Sequence, residues 1–298
     1  MKKFCCYGLN AYLQQPEAKK AIKSTRKDNQ PTMKESPRTP IEIEIPKGYR
    51  RYKLKGIDRE IIAKKGGPTA RQIKTKASYK ELRNNQKEFG VASMMAKTLR
   101  QSLSSGMSEI CETYVSGKLT AQFRNLAKME EGQTGTRPLF LSKHGHLLSG
   151  FEFNSKAPYE KIFGAKYFVK PGSQRGQVIL HFPAFIPEKT FKSPKGATNF
   201  KITARLIALS DYQFDQKIGG YKPVNKDLHG KFGTYDSAML PLLKIPTEPM
   251  TGMISIDNRI IPEGTGLFLV MAISFYKMEN GKFEHLSKES SMQIQKVL

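Results

Sequence analysis

Residues 198–209 read TNFKITARLIAL, and the prediction of the fold class starts from this pattern. Apolar side chains recur at every second position, so an extended strand places Phe200, Ile202, Ala204 and Leu206 on one face. Alternation with period two is typical of a strand that buries at least one face against a core. We therefore expect a long β-strand here and a sheet around it.

The chain keeps this character from residue 132 onward. Short runs rich in aromatic and β-branched residues are separated by Pro and Gly turns; they are LLSGFEFN (147–154), KIFGAKYFV (161–169), GQVILHF (176–182), GLFLVMAISFY (266–276) and KFEHL (282–286). Val178, Leu180 and Phe182 fall on one face of their run, and Asn280-Gly281 predicts a tight hairpin between the last two runs. Strands that follow one another without helices favour an antiparallel sandwich or barrel.

A strand pair and a helical region are predicted before residue 132. IEIEIP (41–46) alternates with period two, and YRRYKLKG (49–56) and REIIAKKGGP (59–68) are extended segments bounded by turns. In YRRYKLKG, an extended backbone places Arg51, Lys53 and Lys55 on one face, with Tyr52 and Leu54 on the other.

Ser78 and Glu81 fit a capping box that begins a helix. Its apolar stripe is Leu82, Phe89, Ala92, Ala96, Leu99 and Leu103. Gly90 predicts close packing or a break within this helix, and Gly106 its end. A second helical stretch over 107–130, broken near Gly117, is expected to pack against the first.

These patterns predict an α+β chain in three parts. Residues 1–40 are a basic tail whose composition favours disorder, because it offers too little apolar surface to offset the entropy of ordering. Residues 41–131 form a small strand pair plus a helical region. Residues 132–298 form an antiparallel, β-sandwich-like domain.

Positive charge is concentrated in the first third of the chain. Residues 1–100 contain 25 Lys and Arg against 9 Asp and Glu, and the whole chain has a net charge of +24. A positive field of this kind attracts polyanions, so it predicts the class of binding partner and not the fold.

The cations on the predicted strands and helix are the candidate nucleic-acid-binding residues: Arg50, Arg51, Lys53, Lys55, Lys64, Lys65, Arg71, Lys74, Lys76, Lys80, Arg83 and Lys87. Tyr49 and Tyr52 lie beside them and are candidates for stacking on exposed bases. A solvated surface that keeps the protein in solution is the simpler alternative for the same residues.

Signatures of catalysis, metal binding and cofactor binding are missing. The sequence has no GxSxG, P-loop, HExxH or strand-linked GxGxxG motif, so we expect neither an enzyme nor a cofactor. His144 and His146 would align on a strand face as half of a metal site, but no third ligand stands at suitable spacing. Three cysteines, an odd and sparse count, favour reduced thiols.

A cytoplasmic location is the prediction from the start of the chain. MKKFCCYGLNAYL resembles a signal peptide, yet its apolar run is short, contains Asn10 and precedes no small-residue cleavage site. No run approaches the ~20 apolar residues that a membrane span needs.

The helical region contains Arg83-Asn84-Asn85, Glu88-Phe89-Gly90, Ala92, and Lys97 to Arg100, and the later chain contains GFEFN (150–154), FIP (185–187) and Phe275-Tyr276. On these motifs, residues 50–103 above all resemble a group of uncharacterised basic proteins from Bacteroidota. The resemblance implies a helical N-terminal part on a β-rich C-terminal part, and it implies no activity.

The sequence therefore predicts a non-catalytic polyanion-binding protein, with DNA or RNA as the expected partner. The alternative is a structural or assembly protein whose β domain packs in a larger complex or homo-oligomer, with the basic region as a docking arm.

Overall fold

The computed structural model describes residues 44–54, 59–256 and 261–298. The strands in these ranges are β1 (Tyr49–Lys53), β2 (Glu60–Lys64), β3 (Phe168–Pro171), β4 (Gln177–Phe182), β5 (Asn199–Ser210), β6 (Tyr212–Asp215), β7 (Gly220–Pro223), β8 (Phe232–Asp236), β9 (Leu240–Pro241), β10 (Met250–Ser255), β11 (Thr265–Glu279), β12 (Lys282–His285) and β13 (Ser291–Val297). The α-helices are α1 (Ala70–Thr75), α2 (Lys80–Gln101), α3 (Ser105–Ile110), α4 (Val115–Ala127), α5 (Leu141–His144), α6 (Tyr159–Ile162) and α7 (Pro187–Thr190).

Two antiparallel sheets form the β-rich part. The larger has the order β12-β11-β5-β8, with β13 also paired to β11 and β9 to β5, and the smaller has the order β10-β4-β3. Strands β1 and β2 pair with each other in a separate ribbon, and β6 pairs with β7. The α+β, sandwich-like fold class is therefore confirmed.

Strands β5 and β11 are the centre of the molecule because both of their faces are buried. Phe200, Ile202 and Leu206 point to the core that the two sheets share, whereas Ile207 and Leu209 join the core beneath the helices. Strand β11 alternates in the same way. A strand covered on both faces needs apolar residues at nearly every position, which explains the continuous run in GLFLVMAISFY.

Helices α2 and α4 cover the outer face of the larger sheet. Leu99 of α2 and Leu119 and Phe123 of α4 are fully buried in the same cluster as Phe268 and Val270 of β11. The Phe123 and Phe268 rings meet edge to face, with centroids 6.3 Å apart. Residues on both sides of the predicted boundary at 132 therefore contribute to one hydrophobic core.

Several local predictions are confirmed. YRRYK and EIIAK form the antiparallel pair β1–β2, and GQVILHF contains β4 with Val178, Leu180 and Phe182 fully buried. Asn280 (φ 51°) and Gly281 (φ 74°) make the turn between β11 and β12, where the left-handed conformation favours these residue types.

Two strand-like runs differ from the prediction. Residues 147–154 contain the end of a 3₁₀ turn and irregular chain, joined to the sheet by one bridge between Glu152 and Gln293. In KIFGAKYFV the first two residues are the end of α6, and only the last two belong to a strand, β3. The predicted strand over 41–45 lies mostly outside the described residues, and its last two residues are irregular and exposed.

The helix boundaries also differ. The capping box is formed by Thr69 and Gln72 at the start of α1, whereas α2 begins after Tyr79 without a side-chain cap, so the box predicted at Ser78 is wrong. Helix α2 continues through Gly90 and ends at Gln101. The second helical stretch is broken at 111–114, and Gly117 lies inside α4.

Candidate nucleic-acid interface

The candidate cations lie in what we call the basic segment, the described residues 47–54 and 59–87. This segment contains thirteen Lys and Arg, and its acidic residues are Glu60 and Glu81. None of its residues is buried. The first buried residue of the described chain is Glu88, so the segment presents its charge on the surface and contributes nothing to the two hydrophobic cores.

The structure describes eleven of the twelve predicted residues, which lie on or directly beside β1, β2, α1 and α2. Exposed side chains, ordered along the chain, are Arg50 and Lys53 on β1, Lys64 at the end of β2, Lys65 beyond it, Arg71 and Lys74 on α1, Lys76 after α1, and Lys80 and Lys87 on α2. Arg51 and Arg83 are half-buried. Lys55 lies outside the described residues.

Most of these charges have no acidic neighbour. Within the described ranges, no lysine of the basic segment makes an ion pair with a carboxylate. Arg51 is different, because its Nε lies 3.1 Å from a carboxylate oxygen of Glu60. The lysines other than Lys87, which lies over the Phe214 ring, are therefore available to an external anion at little cost in lost internal contacts.

Arg83 has a structural role that its charge alone does not reveal. Its Nη1 donates hydrogen bonds to the carbonyl oxygens of Ile73 (2.7 Å) and Lys76 (2.9 Å). These carbonyls end α1, where backbone acceptors lack intrahelical partners. Arg83 thus fastens α1 to α2, and the two helices hold the lysines of both in one arrangement.

Lys87 connects the basic segment to the β-rich part. Its Nζ lies 4.9 Å from the centre of the Phe214 ring on β6, a cation–π contact. The neighbouring strand β7 carries Lys222, which already pairs with Asp215.

The two tyrosines do not form a common stacking surface. Tyr49 and Tyr52 are 38% and 39% exposed, but they stand three residues apart on β1 and so point to opposite faces of the ribbon. Arg50 lies over the Tyr52 ring at 5.8 Å, which occupies one face of that ring. Any base that stacks on this ribbon therefore meets one tyrosine at a time.

The apolar stripe predicted for α2 is wrong at its N-terminal end. Leu82 and Phe89 are exposed, whereas Val91, Met95 and Leu99 are buried. Helical spacing identifies a face, but it does not show how far along the helix a partner extends. Here the packing begins at Glu88, beyond the basic turns of the helix.

Sequence reasoning missed the buried ion pair that anchors this helix. Arg137 donates from Nε and Nη2 to the two carboxylate oxygens of Glu88 at 2.8 and 2.7 Å, and the Gly135 backbone N–H donates at 2.8 Å. Burial opposes the charged form, but these hydrogen bonds hold the pKa of Glu88 below its ordinary value. Gly135 has φ 95°, and a Cβ there would lie 2.7 Å from the Asn84 backbone.

The histidines singled out by sequence are separated. His144 Nε2 lies 2.6 Å from Glu130, and His146 Nδ1 contacts the Lys143 carbonyl at 3.1 Å, so the two rings serve different local contacts. Neither lies on a strand. Among the described residues, no three His, Cys, Asp or Glu side chains come together in a way that could hold a metal ion.

Glu109, His285 and Ser290 form a polar network in which an imidazole lies between a carboxylate and a hydroxyl, as in a hydrolytic triad. His285 lies 2.8 Å from Glu109 through Nδ1 and 3.4 Å from the Ser290 hydroxyl through Nε2. That hydroxyl is fully buried, donates to the Leu286 carbonyl and accepts from the Phe275 N–H. These two hydrogen bonds use the proton and a lone pair of the hydroxyl and stabilise the turn between β12 and β13. We therefore assign a structural role to this network.

Within the described ranges, no helix has the length and apolar composition needed to cross a bilayer. Comparisons of the chain with protein-family models, curated proteins and solved structures found no match.

Proposed function

We propose that this protein is a non-catalytic polyanion-binding protein that associates with nucleic acid through its basic segment. The observation that carries the proposal is the composition of that segment's surface. Its described residues include thirteen cations and only two carboxylates, and none of them is buried. Folding does not require such a distribution, because like charges repel one another in the compact state.

The fixed part of this surface favours phosphate over a diffuse counter-charge. Lys74, Lys76 and Lys80 follow one another where Arg83 fastens α1 to α2, so their backbone positions are held before any ligand arrives. Preorganised charge lowers the ordering cost of binding. Lys and Arg contacts to phosphates release counterions, and the resulting affinity is independent of sequence and falls steeply with salt.

Binding of the full chain to a 20-bp DNA and a 20-bp RNA across a salt series tests this proposal. We expect log K to fall linearly with log salt, with a slope of about −0.9 for each phosphate contacted in DNA. A duplex with uncharged methylphosphonate linkages is the control and should bind far more weakly. Undetectable binding to both charged duplexes at low salt would contradict the proposal.

The alternative, an assembly protein with the basic segment as a docking arm, draws on a different surface. An apolar groove of about 180 Å³ lies in the β-rich part, lined by Pro187, Leu243, Ile245 and Met250 among others, and Ile245 is 64% exposed. Exposed apolar surface of this kind fits a protein partner or a second copy. Mass measurement in solution should then find a defined oligomer, and a monomer at micromolar concentration would count against it.

A further inference from the structure

The ribbon of β1 and β2 has two chemically different faces. Directly paired residues share a face, so the register Tyr49↔Lys64, Arg51↔Ile62 and Lys53↔Glu60 defines the first face. The second face carries Arg50, Tyr52, Ile61 and Ala63. The first face thus holds three cations and one exposed tyrosine, and the second holds one cation that already lies over Tyr52.

Two of the three cations of the first face, Lys53 and Lys64, are open to a ligand. The carboxylate of this face, Glu60, pairs with Arg51, while Lys53 and Lys64 are exposed and have no carboxylate within ion-pair distance in the described chain. Tyr49, directly opposite Lys64, and Ile62, in the middle of the face, are 38% and 41% exposed, so the face also offers apolar contact. A two-stranded ribbon without a buried face is marginally stable alone, so a partner that covers this face would also stabilise the ribbon.

We propose that this first face docks in the major groove of duplex DNA. This assignment rests on the proposed function, and duplex DNA is the nucleic acid that the ribbon fits. Strands lie about 4.8 Å apart, and five residues span about 16 Å. With its side chains, a ribbon of this size matches the B-form major groove, which is about 12 Å wide and admits a two-stranded ribbon.

The same geometry argues against the other nucleic acids. The major groove of duplex RNA is deep and narrow, and side chains cannot read it. Single strands are held by aromatic side chains on which successive bases stack, but Tyr49 and Tyr52 lie on opposite faces of this ribbon. In duplex DNA, Lys53 and Lys64 at opposite ends of the face reach phosphates or base edges, and Tyr49 and Ile62 meet thymine methyl groups.

The test compares four probes of equal length with the full chain: duplex DNA, the same duplex with glucosylated 5-hydroxymethylcytosine filling the major groove, duplex RNA and single-stranded DNA. We expect unmodified duplex DNA to bind most tightly and glucosylation to weaken binding at least about tenfold, since it blocks the groove without removing a phosphate. Lys53→Gln and Lys64→Gln should each reduce the salt slope by about 1. Arg50→Gln, which removes one charge from the second face, should change affinity less than Lys53→Gln.

Equal affinity for glucosylated and unmodified DNA, or preference for RNA or a single strand, would overturn the groove assignment and leave the proposed function intact. Failure to bind all four probes at low salt would instead contradict the proposed function and the groove assignment with it. Because no ribbon residue is buried, the three variants should keep the wild-type unfolding midpoint, which excludes misfolding as the cause of weaker binding.

Discussion

The basic segment and the central strands β5 and β11 differ in burial and in charge. Strands β5 and β11 bury both faces, and their side chains join two hydrophobic cores. Between residues 47 and 87, no described residue is buried and cations outnumber acids thirteen to two. Burial of apolar area stabilises the fold, whereas exposed charge governs association. Substitutions in the two regions should therefore change different measurable quantities.

The largest expected effect on stability comes from Phe268→Ala. This side chain is fully buried against Phe123, so its removal leaves a cavity between the sheet and the helices and should lower the free energy of unfolding by about 3–5 kcal/mol. Tyr49→Ala is the matched control and should change it by less than about 0.5 kcal/mol. Denaturant unfolding measures both, and similar losses in the two variants would contradict the distinction between a buried core and an exposed basic segment.

Glu88→Gln should cost about 2–3 kcal/mol, because it leaves the Arg137 guanidinium without its charged partner. The pKa of Glu88 in the folded chain is lower than its ordinary 4.5, so the unfolded chain takes up the proton first as pH falls. The stability that Glu88 contributes is complete above about pH 4.5 and is lost as pH falls through the folded pKa.

Unfolding of wild type and variant from pH 7 downward therefore checks the sign. The difference in unfolding free energy between wild type and Glu88→Gln should shrink below about pH 4.5. A difference that stays constant or grows in acid would show that the carboxylate is not held in its charged form by Arg137.

Arg83→Ala should have a small and local effect. Loss of its hydrogen bonds to Ile73 and Lys76 frees the end of α1, so amide hydrogen exchange should quicken between residues 70 and 80. Global stability should change by less than about 0.5 kcal/mol, because α1 has no buried residue. Lys80→Ala removes a neighbouring charge without such contacts and is the control. Equal exchange rates in both variants would contradict the role of Arg83 in fastening α1 to α2.

Local patterns in the sequence predict the elements whose determinants are local. Alternation in TNFKITARLIAL predicts β5, and Asn280-Gly281 predicts the hairpin between β11 and β12, because each depends on neighbouring residues only. Glu88 could not be predicted as buried, since its partner Arg137 lies 49 residues away. The exposed position of Phe89 likewise depends on where the packing of α2 begins.

The candidate site was predictable in its charges but not in their roles. The sequence identifies Arg83 and Lys80 as equals on one helix face, and only the tertiary contacts assign Arg83 to the end of α1. The alternation of β1 predicts that Lys53 and Tyr52 face opposite ways, but the register with β2 was needed to add Lys64 to the face of Lys53. The number of charges follows from the composition, whereas the set of side chains that share one face follows only from the pairing of β1 with β2.

The most direct test compares two variants of equal net charge in the full chain. One replaces six exposed lysines of the basic segment by Gln, namely Lys53, Lys64, Lys65, Lys74, Lys76 and Lys80. The other replaces six exposed, unpaired lysines of the β-rich part, namely Lys156, Lys170, Lys189, Lys195, Lys282 and Lys288.

Affinity for the same 20-bp DNA across a salt series is the measurement. We predict that the basic-segment variant binds at least about tenfold more weakly and with a shallower salt slope, while the control stays within about threefold of wild type. Equal losses in both variants would show that net charge alone attracts the polyanion, and would contradict the assignment of binding to the basic segment.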